Sequence, residues 1–505
     1  MLFSSPRALV KLSLVCVLLC GVGTRCQAAA AERPNVLFII ADDASRHFGQ
    51  AYGCDWVETP NIDRLAKEGL VFENAYVPTS KCAPCRAATL LGRNPWQNED
   101  AANHQNYFPA KFIAFGEALA QAGVHAGSAG KVWGPGIAED ANGAKRDFGM
   151  PQLSGKGSLG AKFAAFLKSR PSDAPFFFWY GSKDPHRPYK EGAGIAAGKK
   201  PSDIDRVPAY WPDNETVRSD MLDYATEVEH FDQEVGELVA EVEKAGELQN
   251  TLVIVTSDHG MPFPRVKGHT FDDAHCVPLV ACWPAGIVNP GRRVEELISF
   301  IDFAPTFIEL QKADAAAAGM APITGRSFVD LLKDKPAHDR PFLLIGRERN
   351  DVYARPGSSS GLGYPVRAIR MGDWLYIRNF KPDRWPCGNP ELGLKDTDAG
   401  PTKQLIENLG TESEYWQHAF GMRPAEQLFN VKEDPDCVRN LIDDPQYASA
   451  AGKLRDTMMA ELKRQGDPRV LGQGDVFDNY PTVRPAPADW QTGAAAAPAK
   501  RRAKR

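Results

Sequence analysis

The chain has 505 residues, of which 43% are hydrophobic and 24% are charged. These proportions are typical of a globular protein and exclude disordered, collagen-like and coiled-coil chains. The length suits two or three domains, or one large α/β domain with a smaller partner. The formal net charge is −5, and basic residues are concentrated within 1–28 and 500–505. The acidic body between these ends argues against a nucleic-acid-binding protein.

The first thirty residues have the pattern of a secretory signal peptide. Arg7 and Lys11 precede a short apolar run over 12–22, and the alanines at 28–30 offer a cleavage site. The apolar run is too short to span a bilayer, and no later run is long enough either. The sequence therefore predicts a signal peptide at 1–30, a secreted or periplasmic mature chain without a membrane anchor, and a substrate outside the cytoplasm.

Seven cysteines follow the predicted signal peptide. This number is too small for a disulfide scaffold in a chain of this length. It is also odd, so in an oxidising compartment at least one cysteine is free or is chemically modified. The seven are Cys54, Cys82, Cys85, Cys276, Cys282, Cys387 and Cys437.

The N-terminal part of the sequence repeats a strand, a loop and a helix, which is typical of a large, mostly parallel sheet between helices in an α/β fold. An apolar run over 36–40 predicts a strand buried on both faces, and Asp42 and Asp43 follow it. An amphipathic helix is predicted over 60–69 and a second strand over 70–77.

Two later apolar runs also end in polar residues. The run over 176–180 is followed by His186, and the run over 252–255 is followed by Asp258 and His259. In an open α/β sheet, ligands bind beyond the carboxyl ends of the strands. The sequence therefore predicts a functional site at one edge of the sheet, built from three strand ends.

The pattern changes after about residue 340 to short strands separated by turns, with Gly372-Asp373 as one turn signal. This favours a smaller antiparallel C-terminal subdomain. The last segment is rich in Pro and Ala and ends in basic residues, so we expect it to be disordered. The predicted division is a signal peptide at 1–30, an N-terminal catalytic domain at 31–340, the C-terminal subdomain at 341–480 and a basic tail at 481–505.

The segment from Lys81 to Arg93 carries the most informative motif. It reads Cys-x-Pro-x-Arg at 82–86 and Leu-x-Gly-Arg at 90–93. This resembles the signature of the type I, formylglycine-dependent sulfatases, and the resemblance runs from about residue 34 to residue 446. Other segments follow in the family's order, namely Asp42-Asp43, Pro-Asn-Ile-Asp-Arg-Leu at 60–65, Gly130-Lys131, Pro185-His186 and Ser-Asp-His-Gly at 257–260.

The resemblance implies an alkaline-phosphatase-like sulfatase fold and a covalent mechanism. A maturation enzyme would oxidise the leading cysteine to Cα-formylglycine (3-oxoalanine), and the hydrated aldehyde would attack sulfur. The catalytic residues implied by the family are the nucleophile Cys82, Arg86 to orient it, Lys131 and Lys267 to bind sulfate oxygens, and His186 to protonate the leaving group.

A divalent cation is also implied. Asp42, Asp43 and Asp258 supply hard oxygen ligands, which favour Ca²⁺, with Mg²⁺ as the alternative, over zinc. The resemblance adds His259, which stands where many relatives have Asn, and modified Cys82 to this ligand set. Such a cation would hold a sulfate oxygen and lower the pKa of the aldehyde hydrate.

One departure from the family concerns a histidine. Many sulfatases have a histidine two or three residues after the lysine of the Gly-Lys motif. Here Lys131 is followed by Val-Trp-Gly-Pro at 132–135. Either another base replaces the missing histidine, with His104 as a candidate, or release of sulfate is slow.

Within the family, the sequence most resembles the sulfamidase, or heparan N-sulfatase, branch. Asp-His-Gly-Met-Pro-Phe-Pro at 258–264 is similar to the branch's Asp-Asn-Gly-Ile-Pro-Phe-Pro, and Asp-Pro-His-Arg stands at 184–187. This implies release of sulfate from N-sulfated glucosamine. Against it, Gly-Arg-Glu-Arg-Asn-Asp at 346–351 replaces a His-His-Glu segment that the branch places near its sugar.

The C-terminal subdomain is predicted to decide which sugar is accepted, because the residues expected to handle sulfate all precede about residue 270. Arginine forks match sulfates and carboxylates, and a glutamate accepts hydrogen bonds from sugar hydroxyls. Solvated surface residues are the alternative interpretation. The predicted substrate-binding residues are Arg347, Glu348, Arg349, Arg367 and Arg370.

Three other functions stay open. The first is an O-sulfatase for another sulfated polysaccharide, and the second is a phosphoesterase or phosphonate hydrolase of the alkaline phosphatase superfamily. The third is a non-catalytic glycan-binding protein that keeps the fold, against which the complete nucleophile motif argues. The sequence does not indicate an oligomeric state.

Overall fold

A computed structural model describes residues 33–336, 340–487 and 490. The predicted signal peptide at 1–30 lies outside these residues, as does most of the predicted tail at 481–505. Within the described part of the chain, no helix has both the length and the apolar character needed to cross a bilayer.

The regular elements alternate along the first 310 residues and become strand-rich after residue 340. The strands are β1 (Asn35–Ala41), β2 (Leu70–Tyr76), β3 (Asn106–Phe108), β4 (His125–Gly130), β5 (Gly136–Ala138), β6 (Phe176–Gly181), β7 (Thr251–Ser257), β8 (Cys276–Cys282), β9 (Arg292–Val294), β10 (Ile298–Ser299), β11 (Phe342–Arg347), β12 (Val366–Met371), β13 (Trp374–Asn379) and β14 (Glu426–Asn430). The helices are α1 (Pro60–Glu68), α2 (Cys82–Leu91), α3 (Phe115–Gln121), α4 (Leu159–Ser169), α5 (Ala193–Ala196), α6 (Glu215–Lys244), α7 (Asp272–His275), α8 (Phe303–Leu310), α9 (Val329–Leu332), α10 (Pro401–Leu409), α11 (Glu414–Phe420), α12 (Ala448–Arg464) and α13 (Val476–Asn479).

The main sheet has eight strands in the order β10-β2-β8-β7-β1-β6-β4, with β9 added beside β2. Strands β4, β6, β1 and β7 run parallel, whereas β8 is antiparallel to both β7 and β2. All seven residues of β1 are buried because the sheet is covered on both faces. Leu37 and Ile39 pack into one apolar cluster, and Val36 and Phe38 pack into the other. This confirms the predicted α/β fold class.

Helices cover the two faces of the sheet. The 30-residue α6 buries Val228, Phe231 and Val235 in the same cluster as Leu37. Helices α2, α3 and α8 cover the opposite face, where Phe303 lies 4.9 Å from Phe38 between ring centres. The sheet therefore lies between helices, as the alternating pattern predicted.

The C-terminal part forms a second, four-stranded antiparallel sheet in the order β11-β12-β13-β14. Helix α12 covers it, and Leu454 and Met458 are buried there with Tyr376 of β13. The backbone N–H of Gly346 in β11 donates to the carbonyl of Pro78 at 2.9 Å, which joins this sheet to the segment before α2. The predicted smaller antiparallel subdomain is confirmed.

Two residues of the predicted tail form hydrogen bonds with the rest of the chain. The N–H of Val483 donates to the carbonyl of Gln105 at 3.0 Å, and the indole N–H of Trp490 donates to the carbonyl of Ser358 at 2.8 Å. The division of the chain at residue 481 stays a prediction.

Three adjacent strands end at one edge of the main sheet, as predicted. Backbone hydrogen bonds continue beyond them: Asp42 N–H donates to the carbonyl of Asp184 at 3.0 Å, and Asp258 N–H donates to that of Ala41 at 3.2 Å. The residues that follow β1, β6 and β7 are thereby fixed side by side, and they define the site described next.

Candidate active site

Asp42 and Asp43 lie at the carboxyl end of β1. Asp43 has φ +79°, in the left-handed region that residues other than glycine rarely adopt. The N–H of Asp43 donates to Oδ1 of Asp258 at 3.1 Å, and the N–H of Ala44 donates to Oγ of Ser257 at 2.7 Å. The end of β7 therefore holds this turn in place, and strain of this kind is concentrated at functional sites.

Cys82 is the first residue of α2 and is only 2% exposed. Its Sγ lies 3.4 Å from Nε2 of His259 and 4.0 Å from Oδ1 of Asp43. Burial and the charge of Asp42 raise the pKa of the thiol, but Lys131, Lys267 and His259 outweigh them and hold this pKa well below its usual value. Position 82 is thus an electropositive site that stabilises a negative charge.

Arg86 lies one helical turn after Cys82, on the same face of α2. Its side chain is fully buried, with Nε 2.8 Å from Oδ2 of Asp258. One terminal nitrogen donates to the carbonyl of Lys131 at 2.6 Å, and the other lies 3.6 Å from Oδ1 of Asp42. The Cys-x-Pro-x-Arg spacing therefore places the guanidinium between the ends of three strands.

Two lysines neutralise the consecutive aspartates. Nζ of Lys131, which follows β4, lies 2.6 Å from Oδ2 of Asp42, and Nζ of Lys267 lies 2.5 Å from Oδ2 of Asp43. Burial lowers the pKa of Lys267, but the carboxylates of Asp398 and Asp43 outweigh it and raise this pKa well above its usual value. Both ammonium groups are therefore charged, and a tetrahedral oxyanion could share them with the aspartates.

Two histidines border the same cluster. Nδ1 of His259 lies 3.0 Å from the carbonyl of Gly260, to which only an N–H can donate, so Nε2 faces Cys82. Burial lowers the pKa of His259, but Asp258 and Asp43 outweigh it and raise this pKa to about 9. His186 is the most open member, with 38% of its side chain exposed and Nε2 3.8 Å from Oδ2 of Asp43.

The cluster fits a divalent cation. Asp42, Cys82, Asp258 and His259 each offer a ligand atom, and these atoms lie within 4.8 Å of one another. All four residues are buried, and carboxylates held this close repel one another unless positive charge is present. Two carboxylates with an imidazole are suitable ligands, whereas the thiol of Cys82 is a soft one.

The structure brings together all nine residues that the sequence suggested for catalysis and metal binding. They belong to three strand ends, the start of α2 and the loop after β7. They are Asp42, Asp43, Cys82, Arg86, Lys131, His186, Asp258, His259 and Lys267.

The residues predicted to bind substrate lie in or directly after β11 and in β12, and they are buried. Arg347 is 3% exposed and pairs with Asp396 at 3.0 Å. Glu348 is 2% exposed and accepts from both Arg367 and Arg469, at 2.7 and 2.6 Å. These charges are therefore neutralised inside the protein by partners from the same subdomain.

Arg349, Arg367 and Arg370 are likewise buried, at 1%, 1% and 5% exposure. Arg349 donates to Oδ1 of Asn106 at 2.5 Å, and Arg367 forms a second pair with Asp467 at 2.7 Å. Arg370 donates to the hydroxyl of Tyr76 at 2.9 Å. All five predicted residues are therefore buried with polar partners, and their role in substrate binding stays a prediction.

Four residues beside the cluster were not predicted as one group. Nζ of Lys81 lies 2.7 Å from Oδ2 of Asp351, whose Oδ1 lies 3.2 Å from Nδ1 of His104. Asp398 lies 2.8 Å from Nζ of Lys267. Both acids lie in loops of the C-terminal subdomain. Asp351 ends the 346–351 segment noted in the sequence, but nothing there indicated a pair with Lys81, and no motif marks Asp398.

Comparison with known proteins agrees with this geometry. The family model described as Sulfatase matches residues 34–313, more than half of the chain. Human N-sulphoglucosamine sulphohydrolase is 29% identical over 505 residues, covering 92% of this chain and 96% of the relative. An ulvan-active sulfatase of Formosa agariphila is 25% identical over 518 residues, covering 91% of this chain and 80% of the relative.

The fold is shared with solved structures of low sequence identity. The phosphonate monoester hydrolase of Agrobacterium radiobacter superposes with a TM-score of 0.61 at 17% identity, covering 87% of this chain and 97% of that one. The resemblance in the sequence is thus confirmed at the level of the family. Because the Sulfatase model covers more than half of its length, the chain belongs to the sulfatase family and is a hydrolase of sulfate esters or sulfamates.

Proposed function

We propose that this sulfatase removes sulfate from a sulfated glycan, with N-sulfoglucosamine as the first candidate substrate and residue 82 as the nucleophile after oxidation to formylglycine. The observation that carries the proposal is the placement of Cys82 at the start of α2, 3.4 Å from His259. Relatives that span nearly the whole chain support the substrate class, since one acts on N-sulphoglucosamine and another on ulvan.

Cys82, and not Cys85, is the residue proposed for oxidation. Cys85 lies one turn along α2 and packs into an apolar cluster with Phe38 and Leu90. Burial and Asp258 raise the pKa of its thiol well above the usual value, so it stays protonated and inert. A formylglycine-generating maturation enzyme is the partner this modification requires.

Asp42, Asp43, Asp258 and His259 would hold the cation, proposed to be Ca²⁺ with Mg²⁺ as the alternative. When bound, it supplies Lewis-acid chemistry that stabilises negative charge on oxygen. The protein's own cations complete the sulfate site: Lys131 and Lys267 lie against the two aspartates and can donate to sulfate oxygens.

His186 is proposed to donate a proton to the leaving oxygen or nitrogen. Its Nδ1 donates to the carbonyl of Arg187 at 2.6 Å, which fixes the ring and leaves Nε2 facing the site. The charge of Asp43 raises the pKa of His186 and outweighs burial, so the ring keeps its second proton to higher pH. A ring nitrogen of His186 also lies within 4.8 Å of Sγ of Cys82. We therefore assign to His186, and not to His104, the role of the histidine missing after Lys131.

An assay panel tests the proposal. The purified chain, with Cys82→Ala as the blank, is offered glucosamine N-sulfate, glucosamine 6-O-sulfate, sulfated ulvan oligosaccharides and an aryl phosphonate. Release of sulfate from the N-sulfate supports the sulfamidase function. Release from the O-sulfated sugars alone supports the O-sulfatase alternative, which the ulvan relative favours. Turnover of the phosphonate alone, or glycan binding without turnover, would contradict the proposal.

Export to the periplasm or the extracellular space is part of the proposal. It is supported by the basic residues, apolar run and alanines within residues 1–30. Cell fractionation with mass spectrometry of the mature N-terminus tests it, and a cytoplasmic protein that keeps residue 1 would contradict it.

A further inference from the structure

A second group of metal-ligating side chains lies outside the catalytic cluster. We propose that Asp184, Glu227 and His230 bind one divalent transition-metal ion of the zinc type. Each offers one ligand atom, and the three atoms lie within 4.8 Å of one another. None of the three belongs to the cluster around Cys82, so this site is additional to the cation of the proposed function.

The secondary structure explains why these three side chains meet. Glu227 and His230 are three residues apart on α6, so they project from the same face of the helix. Asp184 follows β6, and its Oδ2 lies 3.1 Å from Nδ1 of His230. Two ligands therefore come from a rigid 30-residue helix and one from the loop that it packs against.

The charges around Asp184 favour a bound cation. Burial and the neighbouring charge of Asp184 raise the pKa of Glu227. Glu234, one turn beyond His230, also has a raised pKa, from burial first and from Asp184 among the smaller causes. The carboxylates of Asp184, Glu227 and Glu234 thus lie around the exposed imidazole of His230. A divalent ion would relieve the repulsion between these carboxylates.

The donor set points to zinc and not to calcium. An imidazole with carboxylates suits zinc and related transition metals, and three protein ligands leave a fourth position for water. Ca²⁺ prefers six or more oxygen ligands.

The site is coupled to catalysis through the backbone. The carbonyl of Asp184 accepts the hydrogen bond from the N–H of Asp42, and the N–H of His186 donates to the carbonyl of Lys183 at 3.0 Å. An ion that ties Asp184 to α6 would hold the loop that carries His186. Asp184, Glu227 and His230 are therefore positioning residues for the proposed active site.

The test measures zinc binding and does not depend on turnover. The full chain, stripped with a chelator and returned to excess Ca²⁺, is titrated with ZnCl₂ by calorimetry beside His230→Ala, Glu227→Gln and the control His418→Ala. We expect one Zn²⁺ per chain in the unmodified protein and the control, and at least tenfold weaker binding in the other two. The thermal midpoint should rise with Zn²⁺ only where the site is intact.

Equal zinc affinity in the unmodified protein and in His230→Ala would overturn the proposal, as would no binding at micromolar Zn²⁺. The cysteines and the catalytic acids are identical in all four proteins, so they cannot produce a difference between them. A chain that binds zinc at this site but releases no sulfate from any substrate would refute the proposed function and leave the zinc site standing.

Discussion

Lys81 and Asp351 form a buried ion pair, with 2.7 Å between Nζ and Oδ2, that joins the residue before Cys82 to the C-terminal subdomain. Asp351 also holds His104, and its N–H donates to Oδ1 of Asp396 at 2.9 Å. The start of α2 is therefore fixed by a loop about 270 residues away in sequence. The subdomain is therefore tied to the start of α2 by this pair, and to the loop that carries Lys267 by the pair between Asp398 and Lys267.

Asp351→Asn should destabilise the fold, because it leaves the ammonium of Lys81 buried without its partner. Breaking such a pair costs roughly 3–5 kcal/mol, and the lower end applies here because the Asp351 side chain is 17% exposed. Urea unfolding measures the change. Asp373→Asn, at the exposed turn between β12 and β13, is the control, and equal stability of the two variants would show that the pair contributes little.

The sequence predicted the strands that position the site, because β1, β6 and β7 are continuous apolar runs that end in charged residues. It did not predict β8, which lies between β7 and β2 although it contains Pro278. Proline cannot donate to a neighbouring strand, and the register of β2 shifts between Phe72 and Ala75, opposite this residue. Whether a strand can include a proline depends on its partner strand, and the local sequence pattern gives no information about that partner.

The burial of the predicted substrate-binding residues was not foreseen, for a related reason. Arg347 and Glu348 look like exposed recognition residues in sequence, but Asp396 and Arg469 neutralise them from positions 49 and 121 residues away. The charge of a residue is visible in the sequence, whereas the partner that buries it is not. The candidate cluster was predictable because motifs mark eight of its nine members, and the spacing after Asp258-His259 indicated the ninth, Lys267.

Oxidation at residue 82 gives the second prediction. Mass spectrometry of the peptide that contains both Cys82 and Cys85 should show the aldehyde at 82 only. Cys82→Ala should abolish turnover without unfolding the chain. Cys85→Ser, which changes a residue of the apolar cluster, should keep most of the turnover. A free thiol at residue 82 in fully active enzyme would rule out the mechanism.

Removal of the cation gives the third prediction. Chelator treatment should abolish turnover and lower the thermal midpoint, because a cation that binds only the folded chain stabilises it. Asp43→Asn should reduce kcat by several orders of magnitude, whereas Asp173→Asn, in an exposed loop, should not. Full activity in metal-free protein, verified by elemental analysis, would contradict the assignment.

Protonation of the leaving group by His186 gives the fourth prediction. A sugar oxygen or nitrogen is a poor leaving group and needs the proton, whereas nitrophenolate does not. His186→Gln should therefore reduce kcat on the saccharide by roughly 10²–10⁴-fold and change kcat on 4-nitrophenyl sulfate far less. Lys183→Gln, an exposed residue of the same loop, should leave both rates unchanged.

The pH profile of the same reaction checks the assignment independently. The donor must be protonated, so kcat on the saccharide should be high below the pKa of His186 and fall as pH rises through it. Asp43 raises this pKa. As pH rises, the residual activity of Asp43→Asn should therefore begin to fall at a lower pH than the activity of the unmodified enzyme does. An alkaline limb that persists unchanged in His186→Gln would show that another group donates the proton.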